Sequence, residues 1–498
     1  MTTLDPLPTP DPATPDPATA LAPAHPVGTP AAAPEPPRRG DLTQGPLVPT
    51  LLAFAVPQMV GNVLQTVNTS INAVWVGQLL GNGALAGTAN ANIVMFLVFS
   101  LVFGFGMAAT VRIGQSYGAH DIHAVRRTLG TALSVALVIS LATTIAGWLL
   151  AGRLLDLLAT PGASRALALT YLRVILLSTP ASMLTLTVAM ALRGVGDAKT
   201  PLVVLIVTSL LDVAFNPLFI RGFGPIPAMG IAGSALATAL ASTIGLVAML
   251  VLVYRRDLVL RLKGAELGYL IPARADLAYI LAKGIPMGAQ MLVISGAGLI
   301  FIGLVNREGI ATAAAYGALL QLWNYIGMPA MAISTAVSAM VAQHIGAGQA
   351  HRVDAISLAG AATNTAITLA LTGLLFAFDR PVLGLFLGLH SPAVAVAQHI
   401  QLIAIWSYIP FGITIVLFGT LRAFGAVYAQ LVVMFISMYL LRLGAYYGLR
   451  PALGADALWS AMVISSVAST AMMLGVYAFG RWRRALVAAD DGRPHSPA

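Results

Sequence analysis

Asp212 and Asn216 stand four residues apart inside an apolar run from Thr200 to Ile220. That spacing puts a carboxylate and a carboxamide on one face of a helix. Pro201 lies eleven residues before Asp212. At about 1.5 Å of rise per residue, the carboxyl is therefore expected near the midplane of a hydrocarbon core about 30 Å thick. An ionisable group at that depth costs roughly 2.5 kcal/mol or more, so it demands a partner or a function. The other seventeen of the eighteen Asp and Glu fall in tails, predicted loops or helix ends, which makes Asp212 the one carboxylate expected to be buried. Such a group can hold and release a proton or a small cation.

A second polar pattern lies upstream. Gln58, Asn62, Gln65, Thr69 and Asn72 are spaced 4, 3, 4 and 3 residues apart within one apolar run, a continuous helical face that cannot meet lipid cheaply. It is either a helix–helix seam held by amide hydrogen bonds or the wall of a water-filled cavity. Pro57, at the start of the stripe, removes a backbone donor and invites a kink, unless it is an ordinary helix-start proline. Asn90, Asn92, Gln290 and the group Tyr316, Gln321, Trp323 and Asn324 also interrupt apolar runs. Singly these suit packing; together they suggest that two halves of the chain line one cleft.

Other motifs argue for what the chain is not. His120 and His123 lack a third ligand, so no metal site is expected there. LRGVGDAKTP, residues 192–201, lacks the spacing of a phosphate loop and reads as a turn, with Asp197 capping the next helix. No nucleophile–base pair or ATPase signature occurs, so no enzyme and no organic cofactor are expected. Any transport would draw on an ion gradient.

The elements that must position these residues follow from composition. Of 498 residues 58% are hydrophobic and only 9% charged, far below the roughly one-quarter charged of soluble domains. The expected class is an all-α polytopic membrane protein. Cysteine is absent, which excludes disulfides and thiolate metal sites. The net charge of +9 comes without a contiguous basic patch bearing stacking aromatics, which argues against a nucleic-acid partner. Twelve spanning runs begin near Pro49, Ala84, Arg127, Ala166, Thr200, Ala228, Asp276, Ala311, Val353, Pro392, Val427 and Asp456. Residues 1–45 are Pro/Ala-rich, hold no apolar run of a secretion signal, and are expected to form a disordered cytoplasmic tail. Residues 482–498 form a second tail.

The chain also repeats itself. Gln115, Gly118, Ala119 and His123 recur 228 residues later as Gln343, Gly346, Ala347 and His351. At an offset of 229, Pro57 meets Pro286, Leu192 and Arg193 meet Leu421 and Arg422, and Gly196 meets Gly425. Two six-helix lobes are expected, 46–254 and 276–481, joined by a cytoplasmic linker over 255–275. An even number of spans makes the repeats parallel, an architecture of transporters that alternate access around a midplane site. Assigning Lys and Arg to alternate sides puts nineteen on the side of the termini and eight on the other, with Arg442 among the eight. Both termini are therefore expected to be cytoplasmic.

The segments INAVWVGQLLGNGALAG (71–87), LRGVGDAKTP, DVAFNPLFI (212–220), MGIAGSALAT (229–238) and AQHIGAG (342–348) resemble the multidrug and toxic compound extrusion (MATE) family, over about residues 46–480. The resemblance implies twelve helices in two lobes around a V-shaped cleft in a bacterial inner membrane. It also implies export of lipophilic or cationic organic compounds in exchange for protons or sodium, by a chain expected to act as a monomer. Carried over residue by residue, it implies a cation-coupling set of Asn72, Asp212, Asn216 and Thr238, with Pro57 as the proline linked to bending of the first helix. It implies a substrate cleft touching Gln58, Asn62, Gln65, Thr69, Asn90, Gln290, Tyr316, Gln321 and Asn324. Two departures stand out: Asn72 occupies an aspartate position, and the Asn-then-Asp order of the fifth helix is inverted. The positions that carry acidic residues in the C-terminal lobe of other members are Ile294 and Phe411 here. With one carboxylate instead of two, proton exchange is favoured over sodium, which prefers more negative charge. A purely structural Asp212, bonded to Asn72 or Asn216, is the alternative. Two further readings also stay open: a flippase for lipid-linked precursors, which would have more spans, and a non-transporting receptor or scaffold.

Overall fold

A computed structural model describes residues 40–157, 162–225, 227–388 and 391–483. The expectations for residues 1–39 and 484–498, with Arg38, Arg39, Arg484 and Arg493, lie outside the described residues. The first half runs α1 (Leu47–Leu80), α2 (Asn82–Gly118), α3 (Ile122–Leu157), α4 (Gly162–Leu177), α5 (Thr179–Gly194), α6 (Lys199–Arg221) and α7 (Ile231–Arg255). The second runs α8 (Arg274–Asn306), α9 (Ile310–Gly346), α10 (Val353–Ala377), α11 (Asp379–Leu387), α12 (Pro392–Ala404), α13 (Tyr408–Ala423), α14 (Val427–Phe435), α15 (Arg442–Leu453) and α16 (Asp456–Phe479). Among the described residues eleven helical stretches are long and apolar enough to cross a membrane, and the pair α4–α5, bent by 50°, makes a twelfth. The spans begin where the hydropathy places them, because lipid leaves the backbone no hydrogen-bond partner outside the helix.

The bend repeats. Ser178 Oγ donates to the Ile175 carbonyl oxygen at 2.7 Å at the α4–α5 break. In the second half a 3-10 turn, Ile405–Ser407, parts α12 from α13, and Ser407 Oγ donates to the Ala404 carbonyl oxygen at 2.7 Å. Ser178 and Ser407 are 229 residues apart. Asp197 caps α6 as its position suggests: its Oδ1 accepts from the backbone N–H groups of Lys199 (3.0 Å) and Thr200 (2.9 Å). The linker lies on α3, where Arg126 meets Glu266 at 2.5 Å. The Lys263 backbone N–H, ahead of Arg126, holds the Glu266 carboxyl below its ordinary value.

The two lobes meet at the end that carries residues 40–45, through a pair of repeat-related bonds. Gln115 on α2 donates Nε2 to the Ala423 carbonyl oxygen at 2.8 Å, and Gln343 on α9 donates Nε2 to the Gly194 carbonyl oxygen at 3.0 Å. Gln343 Oε1 accepts from the Leu42 backbone N–H at 2.9 Å, and Arg352 donates to the Thr43 carbonyl oxygen at 2.9 Å. Residues 40–45, grouped with the tail on composition, are thus held against the second lobe, with Leu42 buried. Asp276 joins the lobes as well, 2.9 Å from Arg127 and 3.7 Å from Arg112. Its side chain is fully buried, so Asp212 is not the only buried carboxylate; a residue at a helix start reads as exposed until another lobe covers it.

Close backbone approach makes glycine necessary in this closed end. A methyl on Gly118 would land on the Gln343 carbonyl oxygen, and one on Gly346 on the Gln115 carbonyl oxygen. Gly118→Ala and Gly346→Ala are each expected to destabilise the protein by about 1–3 kcal/mol, the usual cost of overpacking, read as a lower thermal midpoint in detergent. Gly448→Ala, whose methyl meets nothing within 4 Å, should not lower it. Unchanged midpoints for the first two variants would mean that the lobes do not meet there.

Candidate functional site

Asp212 lies on α6, which packs between α1 and α7 and turns this carboxyl inward, with 3% of the residue exposed. Four neutral donors converge on it from three helices. Asn68 and Asn72 on α1 donate Nδ2 to Oδ2 at 3.0 and 2.5 Å. Asn216 donates Nδ2 to Oδ1 at 3.2 Å, and Thr238 on α7 donates Oγ1 to Oδ1 at 2.9 Å. Two donors on each oxygen fill the roughly four acceptor sites of an ionised carboxylate. A carboxylic acid would have to displace one of them to seat its proton.

The donors are themselves oriented. Ser234 Oγ donates to Asn216 Oδ1 at 2.6 Å, and Asn216 Nδ2 also reaches Asn72 Oδ1 at 3.1 Å. Asn68 Oδ1 is buried and has no hydrogen-bond partner. An acceptor left unpaired beside a carboxylate is costly by about 1–3 kcal/mol, and a bound cation would satisfy it. The surrounding cavity, about 660 Å³, is lined by residues of α1, α2, α4, α5, α6 and α7, with Asp212 as its only Asp, Glu, Lys or Arg among the described residues.

A second cavity of about 730 Å³ lies between the lobes and shares Gln65, Thr69 and Phe96 with the first. Asn62 and Thr66 of α1 face Tyr316, Trp323, Tyr408, Phe411 and Arg442 across it. Arg442 is its only Asp, Glu, Lys or Arg. Charge counting puts Arg442 on the outer side of the membrane; instead it sits inside the span Val427–Leu453 and lines this cavity. A π-helical stretch, Ile436–Leu441, immediately precedes it, and Met438 within that stretch lines the same cavity. Ile294 and Phe411, where the resemblance places acidic residues in other members, line the same cavity without a carboxylate.

The structure brings Asn72, Asp212, Asn216 and Thr238 together around one carboxylate. Gln65 and Thr69 line both cavities, and Asn62, Tyr316 and Asn324 line the second. Four residues expected in the cleft line neither cavity. Gln58 donates instead to Asn62 Oδ1 at 3.1 Å. Gln290 is buried and clasps α14, donating to the Val427 carbonyl oxygen and Gln430 Oε1, both at 3.3 Å. Asn90 faces away, leaving Asn92, two residues on, to line the first cavity. Gln321 is exposed and lines neither cavity. Pro57 lies within an unbroken α1. Asn68, Ser234 and Arg442 are the site residues that pattern reading missed. Asn68 stands four residues before Asn72, the same spacing that joins Asp212 to Asn216, and Arg442 interrupts an apolar span as Asp212 does.

A family model described as MatE matches residues 57–218 and 286–447, two segments offset by the same 229 residues as the internal repeat. The probable multidrug resistance protein YpnP of Bacillus subtilis (strain 168) is 31% identical over 447 residues, covering 89% of this chain and 97% of that one. The probable multidrug resistance protein YoeA of the same organism is 31% identical over 374 residues, 75% of this chain and 81% of that one. Among solved structures, one described as the outward-facing conformation of a multidrug resistance MATE family transporter superposes with a TM-score of 0.82 at 20% identity. It covers 92% of this chain and all of that one.

If the four donors act on one carboxylate, their contributions must be coupled. A double-mutant cycle of Asp212→Asn with Thr238→Val, read by reversible unfolding in mixed micelles, is expected to give a coupling of about 0.5–3 kcal/mol. Strict additivity would mean that the Thr238 hydroxyl and the carboxyl do not interact.

Proposed function

We propose that this chain, which belongs to the MatE family, is an antiporter that exports amphipathic organic compounds in exchange for H+ or Na+, with Asp212 as the exchanging group. It is a multi-pass membrane transporter and not an enzyme. The observation that carries the exchange reading is the saturation of Asp212 by neutral donors alone. Its negative charge has no fixed counter-charge in its cavity, so a mobile cation is the natural partner. A buried charge of this kind is rarely kept without a function.

The donor geometry supplies the coupling. A proton on Oδ2 must displace Asn68 or Asn72, both on α1, and a sodium ion would recruit amide oxygens such as the unpaired Asn68 Oδ1. Either event changes how α1 is held against α6. The polar face of α1 also forms one wall of both cavities, so loading of the carboxyl reaches the cargo space through the same helix. Cargo between the lobes bears on the α1 face that lines both cavities, so release of the coupling ion and release of cargo are linked through that helix. Pro57, ten residues into α1, is where that helix would yield.

The closed end bears most of the Lys and Arg of the expected inner set, so it faces the cytoplasm, with both cavities on its outer side. The monomer is proposed as the transporting unit. Asp212→Asn keeps the shape and removes the charge, while turning one accepting oxygen into an N–H donor. In proteoliposomes under an imposed pH or sodium gradient, this variant is expected to lose gradient-driven efflux of a fluorescent amphipathic dye at least about a hundredfold while still unfolding cooperatively on heating. Efflux that persists in the variant would place coupling elsewhere, and efflux under only one of the two gradients would identify the ion.

A further inference from the structure

Arg442 has no role in the exchange described above, yet it is a charge in the middle of a span and lines the cavity between the lobes. Its one hydrogen bond to protein among the described residues runs from Nε to Ser465 Oγ at 3.0 Å. The guanidinium lies 5.8 Å from the Phe301 ring centroid, near enough for cation–π attraction. No carboxylate among the described residues pairs with it. A guanidinium carries five N–H donors and no acceptor, so the donors of its terminal nitrogens remain for something in the cavity.

The rest of the wall has the same bias. Tyr316 and Tyr408 line the cavity, and their hydroxyls bond to no protein group among the described residues. Tyr316, Trp323, Tyr408 and Phe411 form a run of ring contacts, with centroids 5.7–6.4 Å apart. Ile294, Met328, Met331 and Met438 add a soft apolar surface to the same cavity. The position of Arg442 is built rather than incidental. The π-helical stretch before it is anchored by Ser437 Oγ donating to the Ser465 carbonyl oxygen (2.7 Å) and Tyr439 Oη to the Val293 carbonyl oxygen (3.0 Å). Such single-turn π segments recur at functional sites.

We infer that this cavity binds the acidic end of an amphipathic aromatic compound, with a carboxylate, phosphate or sulfonate on Arg442 and the flat body against Tyr316, Trp323, Tyr408 and Phe411. This rests on the transport reading and narrows its cargo: the second cavity selects organic oxyanions or zwitterions over simple cations. A cation there would meet a fixed positive charge with no carboxylate to offset it. A planar oxyanion instead receives the parallel N–H pair that makes arginine, not lysine, the residue for such groups. The cavity's 730 Å³ lies within the usual range for small-molecule sites, about 300–1,000 Å³.

Two xanthene dyes of similar shape and opposite charge test this: fluorescein, a dianion at pH 8, and rhodamine 6G, a monocation. Binding to the full chain in detergent is read by fluorescence anisotropy. Wild type is expected to hold fluorescein at least about tenfold more tightly than rhodamine 6G. Arg442→Gln should weaken fluorescein about ten- to a hundredfold, the worth of a hydrogen-bonded charge, and leave rhodamine 6G unchanged or tighter. Arg442→Lys, which keeps charge but not the fork, should fall between. Tighter binding of rhodamine 6G by wild type overturns the inference without any variant, and so does fluorescein binding that is indifferent to both substitutions. No gradient enters this assay. Arginine-dependent fluorescein binding by a protein that shows no gradient-driven flux of either dye would therefore support the site and contradict the antiport reading.

Discussion

A single negative charge held by neutral groups is the constraint on which this structure turns. Asp212 lies within an apolar helix and is met only by amide and hydroxyl dipoles, two to each oxygen. Dipoles of this kind stabilise an ionised carboxyl inside a protein, yet they leave its net charge in place. The donors come from three helices of one lobe, so a change of load at the carboxyl is felt as a change in how those helices fit. Had a lysine or arginine supplied the compensation, the site would be a static ion pair of the kind that joins Asp276 to Arg127 at the closed end.

The second lobe repeats the backbone but not the chemistry. Paired glutamines and glycines recur at an offset of 228 and paired serines at 229, and they build the closed end and the breaks between α4 and α5 and between α12 and α13. The cavities differ: one carries a carboxylate, the other a guanidinium. Separating the two charges into two lobes, along a shared wall of α1, lets coupling ion and cargo occupy different ground while still sensing the same helix. Duplication thus supplies the symmetric frame, and the departures from symmetry supply the function.

Much of the frame was legible in the sequence because lipid imposes it: spans must be long, apolar and helical, and the repeat in Gln115 and Gln343 shows without any coordinates. The pair Asp212 and Asn216 was legible by spacing alone, whereas Asn72 and Thr238 joined it only through a family resemblance, since nothing local says which distant helices will meet. Asn68 escaped because the 4, 3, 4, 3 stripe runs from Gln65 to Asn72 through Thr69, while the alternative 3, 4 step through Asn68 shares the same face and reaches the same carboxyl oxygen as Asn72. Ser234 is one small hydroxyl in a run of Gly and Ala, with no signal of its own. Arg442 was hidden by arithmetic: counting positive charges by loop assigns it outside, although it lies within a span and lines a cavity. Gln290 and Gln321 failed in the opposite sense, because polarity within a span marks the need for a partner but not which partner.

The most direct measurement is infrared difference spectroscopy of the carboxyl C=O stretch, following the protein as protons or sodium are added and then as cargo is introduced. The account requires a carboxyl signal that responds to one of these cations, reverses when cargo binds, and is missing from Asp212→Asn. A spectrum in which the variant shows the same cation-dependent and cargo-reversed changes as the wild type would contradict it.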